Sequence, residues 1–385
     1  MPTLLIVEQL LNGLQFGLML FLLAAGLTLV FGVMDMINLA HGSLYMVGAF
    51  LAAWLVAKTG SFVWGVLGAI GLTAAFGMLL ETTLLRTLYA RDHLSQVLAT
   101  FALILILNDG VKMVFGTDLP LSAPDALAGP VQLLPGLSYP AYRLLILGVG
   151  LALALAMYLL VAKTRLGALV RAGAANRVMT EAMGINVQRL FTVVFGIGAG
   201  LCAVAGALLG PLLAVQVGMG ENILILAFVV IVIGGIGSIR GALIGSILVG
   251  CVDTLGRTLL QQLFREFLPP QWASAAGPAI ASIAVYVFMA VVLAVRPQGL
   301  FPTRAGAWAA HPLRPAGACV LHLRRSRYSR WRCHGCSTRW ARRSTSASPA
   351  GCWCTRSLRP VSTSCSATAA WCRSATRPSW GSEPT

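Results

Sequence analysis

The chain alternates between long apolar runs and short polar stretches. Apolar runs lie at 9–33, 36–57, 62–85, 94–116, 141–162, 190–214, 222–236, 241–260 and 278–295. A helix that spans a bilayer needs about 20 predominantly apolar residues, and most of these runs reach that length. Only four residues separate 222–236 from 241–260, so this pair is either two spans or a broken hairpin. The pattern predicts an all-α fold, a polytopic membrane helix bundle of eight or nine spans.

The composition agrees with a membrane protein and argues against a nucleic-acid partner. Charged residues make up 10% of the chain, whereas a soluble domain carries about 25%. The net charge of +16 is concentrated at one end, because 14 of the 28 basic residues and only one of the 12 acidic residues follow residue 302. Residues 1–302 are therefore nearly neutral and form the predicted transmembrane domain, which we expect membrane lipid to surround.

Residues 303–385 have no periodic apolar pattern. They are rich in Arg, Ser, Cys and Trp and contain no Lys. Cys333 and Cys336 form one half of a zinc site, but no second pair has finger-like spacing, so no metal is expected. An RNA-binding tail with interleaved Arg and Trp is a further alternative. We interpret the stretch as a disordered Arg/Ser/Cys-rich tail and hypothesise a frameshift just after Phe301, because an out-of-frame reading of GC-rich DNA gives this composition.

The basic residues of the short loops predict the orientation in the membrane. The 163–189 segment holds five Lys and Arg residues, and such loops stay on the cytoplasmic side. The 117–139 loop holds two acidic residues and no basic one, which places it outside. If the runs alternate, the first span starts outside and the core ends in the cytoplasm at "VRPQGLF". Three basic residues on the outer side are exceptions, Lys58, Arg257 and Arg265.

The 163–189 segment is too long for a tight turn. Asn176 is a favoured N-cap residue, helix formers follow from Arg177 to Met183, and Gly184 suits the left-handed conformation that ends many helices. The pattern predicts a short amphipathic helix against the cytoplasmic face. Such a helix, fixed at both ends to membrane spans, can pass rigid-body motion from a cytoplasmic partner to the bundle. An ordinary loop between two spans remains the alternative.

Polar residues interrupt the second apolar run in "MDMINLAHGSLYMVG". Four of them fall within nine positions, Asp35, Asn38, His41 and Ser43. Polar groups that face lipid are costly, so these side chains are expected to face protein, a cavity or the interface. Gly42 offers a place for the helix to break, and broken helices near the midplane line substrate routes in transporters. Hydrogen bonding between neighbouring spans explains the same residues equally well.

A glycine-rich run lies between the apolar runs 222–236 and 241–260. Gly234, Gly235 and Gly237 permit tight backbone geometry, and Arg240 can anchor at the cytoplasmic surface or lie near a partner. We predict a gate or hinge here.

Three stretches resemble one family, in that family's order. "INLAHGSLYMVGAF", "RAGAANRVMTEAMG" and "VVIVIGGIGSIRGALIGSILVG" resemble two signatures and the coupling segment of branched-chain amino acid (Liv-type) permeases of ABC importers. The resemblance covers nearly all of 1–302 and is to the first of the two permease types. The coupling segment departs from the family in reading Glu181-Ala182-Met183 where Glu-Ala-Ala is usual.

The resemblance implies an importer subunit in the bacterial inner membrane that carries leucine, isoleucine or valine. The implied partners are a second homologous permease subunit, two cytoplasmic ATPase subunits and a periplasmic or lipid-anchored substrate-binding protein. The residues expected to couple to the ATPase are Arg171, Asn176, Glu181, Ala182, Met183 and Gly184. Candidates for the translocation path or gate are Asn38, His41, Gly42, Ser43, Gly234, Gly235, Gly237 and Arg240.

The sequence also agrees with ATP hydrolysis by separate subunits. A P-loop needs Gly before its Lys-Ser/Thr pair, and no Lys of the chain (Lys58, Lys112, Lys163) follows a Gly. We therefore expect neither ATP hydrolysis in this chain nor a cofactor, and no enzymatic activity. An importer of the same class for amides or urea-like compounds is one alternative. A self-contained secondary transporter is another, although the apolar runs hold few acidic residues, namely Asp35, Glu81, Asp109 and Asp253.

Overall fold

A computed structural model describes residues 2–34, 36, 38–89, 91–134, 137–267 and 270–301. Asp35 and the predicted tail, 303–385, lie outside the described residues. Long helices make up most of the described chain, so the predicted all-α class is confirmed.

The described residues form eleven α-helices. Their bounds are α1 Pro2–Met34, α2 His41–Thr59, α3 Phe62–Leu88, α4 His93–Phe115, α5 Ala141–Lys163, α6 Arg165–Ala175, α7 Arg177–Ala182, α8 Val187–Leu213, α9 Met219–Gly234, α10 Ile239–Phe267 and α11 Pro270–Val295. Within α3, the turn Glu81–Leu85 is π-helical. Four short strands lie in the connections, β1 Asp118–Leu119, β2 Pro130–Leu134, β3 Leu137–Pro140 and β4 Val215–Gln216. The antiparallel pairs are β1 with β4 and β2 with β3.

Seven of the helices in the described chain are long and apolar enough to cross a membrane. They are α1 to α5, α8 and α10. Two shorter apolar helices, Met219–Gly234 and Ala279–Val295, would bring the number to nine if both cross. The chain is therefore a multi-pass membrane protein, and the number of spans stays a prediction.

Two helices, α1 and α8, form the centre of the bundle. In their most apolar stretches 83% and 89% of the residues are buried, against 22% in both α4 and α5. A helix that is apolar on every side must be covered by protein or by lipid. We infer that α1 and α8 are enclosed by the other helices, whereas α4 and α5 are peripheral and present apolar side chains outward.

The structure refines three predicted boundaries. The pair 222–236 and 241–260 becomes an antiparallel helical hairpin, α9 and α10, in which Gly234 faces Gly241 and Val230 faces Gly245. The 163–189 segment contains two helices, α6 and α7, instead of one. The predicted break at Gly42 is wrong in position, because the described residues 36 and 38–40 are non-helical and Gly42 is the second residue of α2.

Candidate functional site

The helix pair α6 and α7 is defined by local capping. The Thr164 hydroxyl accepts a hydrogen bond from the Gly167 amide at 3.2 Å and starts α6. The Asn176 side chain accepts one from the Met179 amide at 3.0 Å and starts α7. Gly184 follows with a φ of +82°, a left-handed conformation that Gly adopts readily and that most L-residues other than Asn avoid. The predicted cap and the predicted stop are both present.

The end of α7 is open to its surroundings. Glu181, Ala182, Met183 and Gly184 are all exposed, and the Met183 side chain is 76% exposed. Glu181 pairs with Arg177 one turn earlier at 3.2 Å, in the favoured i, i+4 spacing. The end of α7 therefore exposes the apolar Met183 beside the Arg177–Glu181 ion pair. A partner protein can contact this surface.

Arg171 is exposed, and its side chain contacts the end of α5 instead of the exposed end of α7. Its guanidinium donates to the Val161 carbonyl near the end of α5. This contact ties α6 back onto the span before it and satisfies one of the carbonyls that a helix end leaves unpaired. Two of the predicted coupling residues therefore stabilise the helix pair α6 and α7: Arg171 links α6 to α5, and Asn176 caps α7.

The polar residues of the second run lie in the interior of the bundle. Asn38 and His41 have no exposed surface and Ser43 is 3% exposed. The Asn38 Oδ1 accepts a hydrogen bond from the Ala40 amide at 3.1 Å, which shapes the turn that leads into α2. The Asn38 Nδ2 has no hydrogen-bond partner among the described residues.

His41 lies deep in the bundle, between α1 and α8. Its Nε2 is 3.0 Å from the Cys202 Sγ. A Cβ placed on Gly26 would come within 2.8 Å of His41 Nε2 and 3.1 Å of the Gly198 Cα, so only Gly leaves room for the ring and for the close approach of α1 to α8. Gly26 lies eight residues before the end of α1, a distance of about 12 Å along a helix.

The beginning of α2 also contacts the beginning of α9. A Cβ placed on Gly220 would collide with the Gly42 carbonyl oxygen, and one on Gly42 would lie 2.5 Å from the Gly220 carbonyl oxygen. The Gly218 amide approaches the Met46 Sδ at 3.4 Å. Two helices therefore start side by side in the interior, where Gly42 serves close packing. Its partner, Gly220, was not predicted, because no local pattern marks it.

The glycine-rich run is a tight turn covered by the end of the described chain. Gly235 and Gly237 have φ values of +101° and +81°. The Leu300 amide donates to the Ile233 carbonyl at 2.8 Å, and the Phe301 amide donates to the Gly234 carbonyl at 3.0 Å. The turn is thus held by backbone hydrogen bonds from the "VRPQGLF" stretch, and its role as gate or hinge stays a prediction.

Arg240 is exposed at the start of α10. Its guanidinium lies 5.5 Å from the Tyr158 ring centroid and donates to the Tyr158 hydroxyl at 3.3 Å. This stacked geometry anchors the α9–α10 turn to α5, as a cation–π contact does at an exposed site.

The acidic residues of the spans have different surroundings. Glu81 is fully buried and accepts hydrogen bonds from Tyr89 and Thr192. Asp253 pairs with Arg257 at 2.8 Å, and Asp109 is exposed. Among the described residues no group of three or more His, Cys, Asp or Glu side chains could hold a metal ion. Glu81 received no site role from the sequence, although an acid in the last turns of a span is a signal that could have drawn attention to it.

Residues 9–296 match the family described as "Branched-chain amino acid transport system / permease component". The high-affinity branched-chain amino acid transport system permease protein BraD of Pseudomonas aeruginosa is 32% identical over 273 residues, covering 68% of this chain and 89% of BraD. LivH of Escherichia coli K12, which carries the same description, is 29% identical over 282 residues, covering 68% and 89%.

A more distant similarity links the chain to a sugar transporter. The ribose import permease protein RbsC of Escherichia coli K12 is 27% identical over 266 residues, covering 66% of this chain and 78% of RbsC. No solved structure matches the chain.

Proposed function

The chain belongs to the family of permease components of branched-chain amino acid transport systems, and from this we propose that it is one of two distinct, homologous permease subunits of an ATP-driven importer. In this proposal two ATPase subunits in the cytoplasm supply the energy. A periplasmic or lipid-anchored binding protein delivers the solute. The protein lies in the bacterial inner membrane, with its first span starting outside and its core ending inside.

Leucine, isoleucine and valine are the proposed solutes. Support comes from BraD and LivH, whose names give branched-chain amino acid transport. RbsC, named for ribose import, indicates that related chains serve a different solute. We therefore assign much of the selectivity to the binding protein and not to this chain. Amides and urea-like compounds belong in the same test panel.

The exposed end of α7 is the observation that carries the proposed coupling role. Its position is fixed by the Asn176 cap and the Gly184 stop, while Glu181 and Met183 remain exposed. The chain has no Gly-Lys-Ser/Thr sequence, so it lacks the phosphate-binding loop of P-loop ATPases. A fixed, exposed helix on a permease with no ATPase site of its own is the expected contact surface for an ATPase.

The candidate path residues are divided between packing and gating. We propose that His41 and Gly42 hold α1, α2, α8 and α9 together, and that Asn38, with its unpaired amide nitrogen, faces the route that opens during transport. Gly234, Gly235 and Gly237 then form the turn about which α9 and α10 move, with Arg240 as the anchor to α5. Support comes from the burial of Asn38 and His41 and the close contacts of Gly42 and Gly234. The positive φ values of Gly235 and Gly237 and the contact of Arg240 with Tyr158 support the turn and its anchor.

Uptake of labelled solutes tests the function. The full chain is reconstituted in vesicles with its companion permease, ATPase subunits and binding protein, and is offered leucine, isoleucine, valine, and a panel of amides. We expect uptake of the branched-chain amino acids that requires both ATP and the binding protein. Uphill uptake by this chain alone, without ATPase subunits, would instead identify a secondary transporter.

A further inference from the structure

Glu81 is the buried acid around which several helices meet. Its Oε1 accepts a hydrogen bond from the Tyr89 hydroxyl at 2.7 Å, and its Oε2 accepts one from the Thr192 hydroxyl at 2.6 Å. The Arg86 guanidinium lies 3.6 Å from Oε2 and also donates to the Thr192 hydroxyl at 3.1 Å. A buried carboxylate is tolerated only when it is paired and hydrogen-bonded, and this one has both kinds of partner.

The π-helical turn Glu81–Leu85 explains why these groups meet. In an α-helix, residues five apart point about 140° away from each other, so Arg86 would point away from Glu81. A π turn inserts one extra residue into the helix, which brings Arg86 and Tyr89 round to the side of Glu81. Such turns occur frequently at functional sites.

A series of contacts runs from this cluster to α7. The Tyr89 ring meets the buried Phe191 ring edge-on, with centroids 5.5 Å apart. The Arg177 guanidinium of α7 lies 5.0 Å from the Phe191 centroid on α8. Arg177 also holds Glu181 at the exposed end of α7. The exposed end of the helix is thus connected to the buried Glu81 by directly touching side chains.

The same cluster reaches the end of α1. The Tyr89 hydroxyl lies 3.6 Å from the Sδ of Met34, the last residue of α1. The next helix, α2, begins at His41, and Met36 and Asn38 before it are fully buried. Tyr89 therefore contacts both Phe191 of α8 and Met34, the last residue of α1.

We propose that Glu81 is a positioning residue that couples movement of α7 to the end of α1. The proposal rests on the proposed function, in which the ATPase moves α7. Glu81 fixes Tyr89 against Phe191 and Met34, so a displacement of Arg177 shifts the end of α1 instead of being absorbed by rotation of the Tyr89 side chain. Touching side chains become a coupling path only if their energies depend on one another, which determines the test.

Tyr89→Phe is the central variant, because it removes one hydroxyl and keeps the ring. Tyr142→Phe is its matched control, since the Tyr142 hydroxyl donates a buried 2.8 Å hydrogen bond to the Leu208 carbonyl, outside the cluster. Amide hydrogen exchange is followed on the full chain in lipid nanodiscs. We expect the amides of Thr180, Met183 and Gly184 to exchange several-fold faster in Tyr89→Phe and at the native rate in Tyr142→Phe.

The complete transporter supplies the second measurement. Tyr89→Phe and Glu81→Gln should each raise the number of ATP molecules hydrolysed per solute molecule taken up. The double variant should be no worse than the more severe single one, because both changes break the same interaction. If Glu81→Gln does not assemble, the comparison of Tyr89→Phe with Tyr142→Phe remains decisive.

Equal α7 exchange rates in Tyr89→Phe and Tyr142→Phe would overturn the proposal, as would equal ratios of ATP to solute. The exchange measurement uses neither ATPase nor solute, so it decides the coupling even if the solute assignment is wrong. Failure of the unmodified transporter to take up any offered solute would contradict the proposed function, not the contacts around Glu81.

Discussion

His41 on α2 and Cys202 on α8 meet in the interior of the bundle, with Nε2 and Sγ 3.0 Å apart. Both side chains are fully buried. The contact lies beside a close approach of α1 to α8, at Gly26 and Gly198, so the His41 ring contacts three helices at the same depth in the bundle. We therefore interpret His41 as an interhelical contact, which was one of the two interpretations that the sequence left open.

Replacing Cys202 should show how tightly this contact is packed. Cys202→Val adds a branched side chain against the His41 ring, and overpacking of this kind costs about 1–3 kcal/mol. Cys202→Ser keeps the size and the hydrogen-bonding ability and serves as the control, with a smaller expected loss. The midpoint of thermal unfolding in detergent measures both. A Cys202→Val protein as stable as the native chain would show that the space around His41 is loose.

Gly220 should tolerate no side chain, because an added Cβ would collide with the Gly42 carbonyl oxygen. We expect Gly220→Ala to separate α2 from α9 and to lower the thermal midpoint and the yield of folded protein. Gly110→Ala is the control in another helix, since a Cβ there meets nothing within 4 Å and the change gains about 0.5–1 kcal/mol of helix stability. Equal midpoints for the two variants would contradict the close helix contact.

The sequence predicts those parts of the fold that depend on residues close together in the chain. Spanning helices follow from runs of about 20 apolar residues, and each predicted run corresponds to a described helix. The cap at Asn176 and the stop at Gly184 also need only neighbouring residues. For these elements the residues that determine the structure lie within a few positions of each other.

The remaining features depend on residues far apart in the chain. At the start of α2, His41 contacts Gly26 and Cys202, and Gly42 contacts Gly220. These partners are far away in the chain, and Gly42 taken alone indicated a break in the wrong place. Glu81, in the π-helical turn, accepts a hydrogen bond from Thr192, 111 positions away. A single sequence gives no signal for such pairs, because hydrophobic periodicity reports a residue's environment and not its partner.

The Asn176 cap should be required for coupling, because α7 is only six residues long and has little stability of its own. Asn176→Ala removes the acceptor for the Met179 amide, a loss of about 1 kcal/mol for a typical cap. We expect reduced uptake with solute delivery intact. Asn176→Asp keeps the cap and should transport at a near-native rate. If Asn176→Ala transports as well as Asn176→Asp, the cap is dispensable.

The chain cut after Pro302 should transport as fast as the full chain. The family match ends at residue 296, and 303–385 carries 14 basic residues but one acidic one, a composition we interpret as a frameshift product. Uptake per assembled transporter, measured for both forms side by side, is the relevant quantity. Any reproducible gain or loss on removing the tail would show that it acts on the transporter.

Gly184 is the position at which backbone strain should uncouple the transporter. Its φ of +82° is left-handed, a conformation that costs a non-Gly residue roughly 1–2 kcal/mol, and a β-branched one more. A Cβ there would meet no other atom within 4 Å, so Gly184→Val should disturb the end of α7 without disturbing the bundle. Gly184→Asn is the matched control, because Asn adopts this conformation most readily among the other residues.

We expect Gly184→Val to assemble and to unfold at the native temperature while ATP hydrolysis continues and solute uptake falls. Gly184→Asn should retain most of the uptake, because Asn can adopt the left-handed conformation of the turn. It lacks only the small size of Gly. The pair therefore separates backbone geometry from bulk at the surface. Equal loss in both variants would mean that the partner needs the bare surface at Gly184, and normal uptake in Gly184→Val would remove α7 from the coupling contact altogether.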